Sequence, residues 1–159
     1  IVMTTSSSGL YGNFGQSNYS AAKMALVGLM RTLSQEGRKA DIRVNCISPT
    51  AATPLTSDVM PTEAVERLTS EAVAPAVIAL CADTAPTGAI LCAGGGSFEM
   101  AHITLTRGIQ LSADEDVSAQ LLDRMIEVSD RDGEMVPETG WDQSQWELNR
   151  GPAEKLFVQ

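Results

Sequence analysis

Hydrophobic positions change their rhythm several times along this chain. Residues 1–6, IVMTTS, read as a buried strand already under way. The Gly/Ser/Asn-rich stretch SSGLYGNFGQSN that follows reads as a loop. No proline interrupts the run from Tyr19 to about Arg38, and Ser17 or Asn18 can cap it, so this run is predicted to be a helix. Its apolar residues, from Ala21 and Met24 through Val27 to Leu33, cover more than the single stripe a surface helix needs. One side is expected on a sheet and the other on a second helix or subunit.

IRVNCIS, residues 42–48, alternates and is β-branched, as the next strand of a βαβ unit would be, and such a crossover implies a parallel, right-handed connection. Pro49 ends that strand, and TAATPLTSDVMPT is an irregular loop. Residues 62–68 and 71–83 are predicted helical, the second burying Val73, Val77, Ile78, Leu80 and Cys81. TGAILCAGGG is a short strand running into a glycine turn, and SFEMAHITL a further strand. From Ser112 the pattern changes to an amphipathic helix, SADEDVSAQLLDRMIEVSD, with an acidic first turn and Val117, Leu121, Leu122, Met125 and Ile126 on its apolar face. Residues 130–159 are polar, with Trp141, Trp146, Leu156 and Phe157 as isolated anchors, and are expected to form a mobile or partner-docked tail. The division expected is therefore residues 1–110 and 111–159.

Composition narrows the function classes. With 159 residues, 43% hydrophobic and 19% charged, the chain suits one soluble globular domain with a modest core, drawn from aliphatic residues because aromatics are only 4%. No run approaches the roughly 18 apolar residues of a membrane span, and no leader resembles a signal peptide, so a cytoplasmic protein is expected. Net charge is −9, concentrated late: residues 1–110 hold eight acids and seven bases, residues 111–159 twelve acids and four bases. No basic patch forms, which disfavours nucleic acid. Cys46, Cys81 and Cys92 are odd in number and embedded in apolar segments, so they are read as reduced core thiols. His102 is the sole histidine, which excludes a multi-histidine metal site, and its alternating neighbours make it an ordinary strand residue. No metal is expected.

The candidate chemistry lies at Tyr19 and Lys23, four apart and hence on one helix face. A free phenol titrates near pH ~10, and a neighbouring ammonium favours the phenolate, so the pair can give and take a proton nearer neutrality. A surface tyrosine lying along a lysine stem is the plain alternative. Three neighbouring features favour chemistry: Ser6, thirteen residues before Tyr19 at the end of a strand, the glycine-rich turn between them, and the proline-ended strand after the helix.

Together IVMTTSSSG, GNFGQSNY, YSAAK and IRVNCISPTAATPLT resemble the C-terminal half of the short-chain dehydrogenase/reductase family over about residues 1–100. Within it, GLYGNFGQSNYSAAKMALVGLM and PTAATPLT look most similar to the (3R)-hydroxyacyl-CoA dehydrogenase part of peroxisomal multifunctional enzymes and their bacterial relatives. The resemblance implies an α/β fold, the C-terminal half of a doubly wound parallel-sheet Rossmann fold with the N-terminal nucleotide-binding half absent. It implies hydride exchange with NAD or NADP, NAD favoured, on a secondary alcohol or ketone, most of all a 3-hydroxyacyl or 3-oxoacyl thioester. Ser6 would bond the substrate oxygen, Tyr19 would exchange the proton and Lys23 would hold the nicotinamide ribose. Pro49, Ala52 and Thr53 would lie along the cofactor. A homodimer or homotetramer through the Tyr19 helix is implied as well.

Two departures are visible. The family's glycine-rich phosphate turn and its catalytic asparagine fall before Ile1, and CAGGGSF at 92–98 reads as a turn because no helix is predicted after it. A non-catalytic interaction module that keeps the family's packing is the competing reading, although packing alone does not require Ser6, Tyr19 and Lys23 together. An acyl hydrolase using one of the serines 6–8 is disfavoured, because SSSGL is no nucleophile elbow.

Overall fold

The computed structural model describes residues 1–53, 61–112 and 116–149, arranged as two compact units, Ile1–Ala101 and His102–Gln159. The division falls after Ala101, where the sequence had placed the change of character at residue 110.

The first unit is α/β. Its sheet has four strands in chain order, β1 (Val2–Thr4), β2 (Asn45–Pro49), β3 (Ile90–Gly94) and β4 (Ser97–Ala101). The first three are parallel, with Met3 opposite Cys46 and Cys46 opposite Ile90, whereas β4 folds back antiparallel on β3. The glycine turn predicted at CAGGG makes this hairpin: Gly95 and Gly96 have φ of 57° and 84°, a region closed to most side chains. His102 lies one residue beyond β4 and is exposed, so it is not a strand residue.

Alternation along the strands supplies two cores. On one face Val44, Cys46 and Ile90 meet Val27 and Met30 of helix α2 (Ser17–Glu36). On the other, Ile47 and Ala93 meet Val73, Ala76 and Leu80 around helix α4 (Ala74–Cys81). The step from β1 to β2 therefore passes over one face and that from β2 to β3 over the other. Since both steps advance in the same direction across the sheet, the two crossovers have opposite hands, and the usual right-handed rule holds for only one of them.

Several elements differ from expectation. The serine-rich "loop" contains a short helix α1 (Ser7–Tyr11), started by Ser6, whose Oγ accepts from the Ser8 N–H at 3.3 Å. A 3-10 turn, Gly37–Ala40, closes α2, whereas the helix expected over residues 62–68 forms as α3 (Thr62–Arg67) ahead of α4. On α4 the buried residues are Ala76 and Leu80, with Val73 just ahead of the helix also buried; Val77, Ile78 and Cys81 are exposed, so the expected apolar face was rotated.

In the second unit Leu105 and Met135 exchange both backbone hydrogen bonds at 2.9 Å. The expected single helix breaks at Arg124 into α5 (Val117–Asp123) and α6 (Met125–Val128), and the whole expected apolar face, Val117, Leu121, Leu122, Met125 and Ile126, is exposed. Asp116 caps α5, and Arg124 makes a bidentate ion pair with Glu127. The segment expected to be a tail contains α7 (Gly140–Leu148), opened by a capping box in which Thr139 and Asp142 satisfy each other's backbone N–H groups. Those bonds hold the Asp142 carboxyl below the usual carboxylate range. Trp146 donates to the Arg107 carbonyl at 3.2 Å, while Trp141 is exposed. Leu156, Phe157, residues 54–60 of the irregular loop and residues 113–115, which include Asp114 and Glu115, lie outside the described residues.

The three thiols separate clearly. Cys46 is fully buried, Cys92 partly and Cys81 exposed, so Cys81 is not a core thiol. Burial pushes the Cys46 thiol up to about 11. Above the ordinary thiol value the unfolded chain releases this proton while the folded chain keeps it, so the contribution of Cys46 to stability is complete below the ordinary value and is lost as pH rises from there to about 11. With a thiol reagent at neutral pH, Cys81 should label first, Cys92 next and Cys46 about two orders of magnitude more slowly than Cys81, because thiolate is the nucleophile and only opened molecules expose Cys46. Equal rates for Cys46 and Cys81, followed by mass spectrometry, would contradict this packing.

Candidate functional site

Strand β1 delivers residues 4–6 to the carboxyl edge of the parallel strands, where open α/β sheets place ligands. Thr5 still belongs to the sheet, its N–H donating to the Ile47 carbonyl at 2.8 Å. Ser6 leaves it, half-buried, and starts α1. The turn through Gly12 and Gly15, both at positive φ, reverses the chain into α2. There the Tyr19 N–H is bonded by the Asn18 side chain at 2.8 Å, and the residue before the helix, Gln16, supplies no side-chain cap.

Helix α2 presents to the unit's interior a stripe at helical spacing that includes Lys23, Val27, Met30 and Ser34. Val27 and Met30 anchor it on the apolar core. One turn earlier the stripe reaches the end of β1, and there it becomes polar. The Lys23 Nζ donates to the Thr4 carbonyl at 3.0 Å and lies 5.7 Å from the centroid of the Tyr19 ring, within cation–π range. Tyr19 is 45% exposed, enough to meet a ligand. Helix α1 closes against this point: a Cβ on Gly9 would fall 2.9 Å from the Lys23 Cβ, a distance packed atoms do not adopt.

Lys23 and Tyr19 are thus brought together, and Lys23 is bonded to the end of β1, two residues before Ser6. Pro49 ends β2 opposite Ala93. Ala52 is half-buried and donates to the Leu68 carbonyl at 2.6 Å, and Thr53 is exposed at the edge of the described segment. The second tyrosine of the region, Tyr11, is exposed on α1 and bonds Cys92. Burial, and then the charge of Glu99, raise the Cys92 thiol against the hydrogen bonds of Ser48 and Tyr11, which makes it a poor nucleophile. Among the described residues no cluster of His, Cys, Asp or Glu could hold a metal ion, and no helix is long and apolar enough to cross a membrane.

The chemistry of the donors suits a polyol-bearing cofactor. An ammonium has three donors, and the bond to Thr4 uses one of them, so Lys23 can still bond ribose hydroxyls from a fixed position. Thr5, which sequence reasoning passed over, also touches this centre; its only signal was a polar residue inside a buried strand.

Residues 1–74 match the short chain dehydrogenase family. A protein of Mycobacterium tuberculosis named as a short-chain type dehydrogenase/reductase is 41% identical over 140 residues, 86% of this chain and 48% of that protein. The mouse peroxisomal multifunctional enzyme type 2 is 48% identical over 100 residues, 63% of this chain and 13% of the enzyme. The structure of the full-length peroxisomal multifunctional enzyme type 2 of Drosophila melanogaster superposes with a TM-score of 0.78 at 32% identity, covering 91% of this chain and 27% of that one. The chain spans less than half the length of each of these relatives.

Proposed function

We propose that the full-length protein, whose residues 1–74 match the short chain dehydrogenase family, is an NAD(P)-dependent oxidoreductase interconverting a 3-hydroxyacyl-CoA and its 3-oxoacyl-CoA. Ile1–Ala101 would form the catalytic half of its doubly wound sheet. The observation that carries this reading is the Lys23 ammonium, fixed by the Thr4 carbonyl against the face of a half-exposed Tyr19 at the carboxyl edge of parallel strands. Relatives named as multifunctional enzymes and as acetoacetyl-CoA reductases direct the choice of substrate.

In this reading the Ser6 hydroxyl donates to the substrate oxygen and orients it toward Tyr19. During oxidation the Tyr19 phenolate takes the proton of the alcohol, and during reduction the phenol returns it. Lys23, its ammonium over the Tyr19 ring, would hold the ribose hydroxyls, while Pro49, Ala52 and Thr53 would line the cofactor's path. When bound, the nicotinamide supplies the acceptor or donor of hydride, NAD being favoured over NADP. The outer side of α2, with Ala21, Ala22, Ala25, Met24 and Leu29 exposed, packs on a second copy in a homodimer or homotetramer.

The full-length protein should reduce NAD in the presence of a (3R)-hydroxyacyl-CoA, seen as the absorbance of NADH. Complete inactivity with NAD and NADP against hydroxyacyl thioesters of both configurations would remove the proposal.

A further inference from the structure

The strand carrying Ser6 holds Lys23 at two separate points. Thr4 accepts from the side-chain ammonium at 3.0 Å, and the next residue, Thr5, donates its hydroxyl to the main-chain carbonyl of the same lysine at 2.8 Å. Thr5 is 1% exposed, and its own backbone remains in the sheet through the Ile47 carbonyl. The Lys23 carbonyl lies mid-helix and already serves the helical ladder, so no unpaired group called for this second bond. An apolar isostere would fill the same volume. What the hydroxyl adds is direction: it fixes the rotation and advance of α2 against β1 at the one turn where Lys23 and Tyr19 project. Gly9 packs on the same residue, its missing side chain leaving room for α1 against the Lys23 Cβ.

We propose that Thr5 is a positioning residue for the reaction, a hydroxyl clamp that sets Lys23, and with it Tyr19, relative to Ser6 at the end of the same strand. This rests on the oxidoreductase reading for its catalytic consequence, but the clamp itself is a statement about Lys23 alone. Being β-branched, threonine enters the clamp with few side-chain rotamers to lose.

The test compares Thr5→Val, which keeps the shape and removes the hydroxyl, with Thr5→Ser, which keeps the hydroxyl. Native-state acylation of lysine amines, read by mass spectrometry as the ratio of Lys23 to the exposed Lys39, reports the clamp without any need for turnover. Thr5→Val should raise that ratio several-fold while leaving the melting temperature close to the parent, and should lower kcat roughly ten- to hundredfold, as small misplacements of catalytic groups do. Thr5→Ser should restore most of both. An unchanged labelling ratio in Thr5→Val overturns the clamp, as does an unchanged kcat in an enzyme that Tyr19→Phe silences. Equal impairment in Thr5→Ser overturns it too, since the methyl group and not the hydroxyl would then matter. Should the parent protein turn over no substrate, the oxidoreductase reading falls while the labelling ratio still decides the clamp.

Discussion

In the full-length protein, Tyr19→Phe should lower kcat by roughly two to four orders of magnitude, the range in which a positioned proton donor and acceptor contributes, and leave cofactor affinity nearly unchanged. The substitution removes one oxygen from a ring that is 45% exposed and outside both hydrophobic cores, so folding has little at stake. The ring itself remains, and with it the face lying 5.7 Å from the Lys23 ammonium. Lys23 keeps its bond to the Thr4 carbonyl and can still meet a ribose. The loss should therefore fall on kcat and not on the KM for NAD. Tyr11→Phe provides the control, because that tyrosine is exposed on α1 and lies outside the Tyr19–Lys23 pair. Near-normal turnover of Tyr19→Phe, or equal losses in the two variants, would end the assignment of Tyr19.

A second large effect is expected on stability. Asn45→Ala should destabilise the fold by about 2–4 kcal/mol, since it orphans two buried backbone groups and opens a cavity. Asn45 is fully buried, its Nδ2 donating to the Pro86 carbonyl at 2.7 Å and its Oδ1 accepting from the Ala89 N–H at 3.1 Å. Around it Val44 bonds Thr87 and Gly88, and the Cys46 N–H bonds the Ala89 carbonyl, so residues 86–89 are fastened to the central strand before β3 begins. For a unit of this size the loss corresponds to a melting temperature lower by roughly 10–20 °C.

Asn45→Asp separates the polar contribution from the volume. A carboxylate can still accept from Ala89 but confronts the Pro86 carbonyl with a charge, so the folded state favours the protonated acid and raises its pKa. Stability relative to the parent should then be lowest at neutral pH and recover as pH falls through the raised value, when an O–H can donate to Pro86. A melting temperature for Asn45→Ala within a few degrees of the parent would show that this side chain fastens nothing.

The unit from β1 through α2 to β2 was legible in the sequence because local rules are strong there. A proline-free run with helical spacing, bounded by a β-branched segment ending in proline, leaves few alternatives, and Tyr19 and Lys23 share a face by helix geometry alone. The turn at 94–96 was legible for a similar reason, since consecutive glycines are best suited to positive φ. Helix α1 was hidden because Ser and Gly are weak helix formers. It forms through the Ser6 cap and through Gly9, whose lack of a side chain is needed only once Lys23 lies opposite. Helix α7 did carry a local signal, Thr139 and Asp142 at capping-box spacing, outweighed by the polar composition around it.

What the sequence by itself determined is therefore the succession of β1, α2 and β2 and the pairing of Tyr19 with Lys23, because both follow from periodicities of 2 and 3.6 that each residue carries wherever it lies. The tertiary structure alone decided which face of α4 is buried, that β4 returns antiparallel, that α2 and α4 cover opposite faces of the sheet, and that Thr5 reaches the carbonyl of Lys23 from eighteen residues away. Those outcomes depend on which groups remain to be covered or bonded once the sheet has assembled, and no local pattern encodes that.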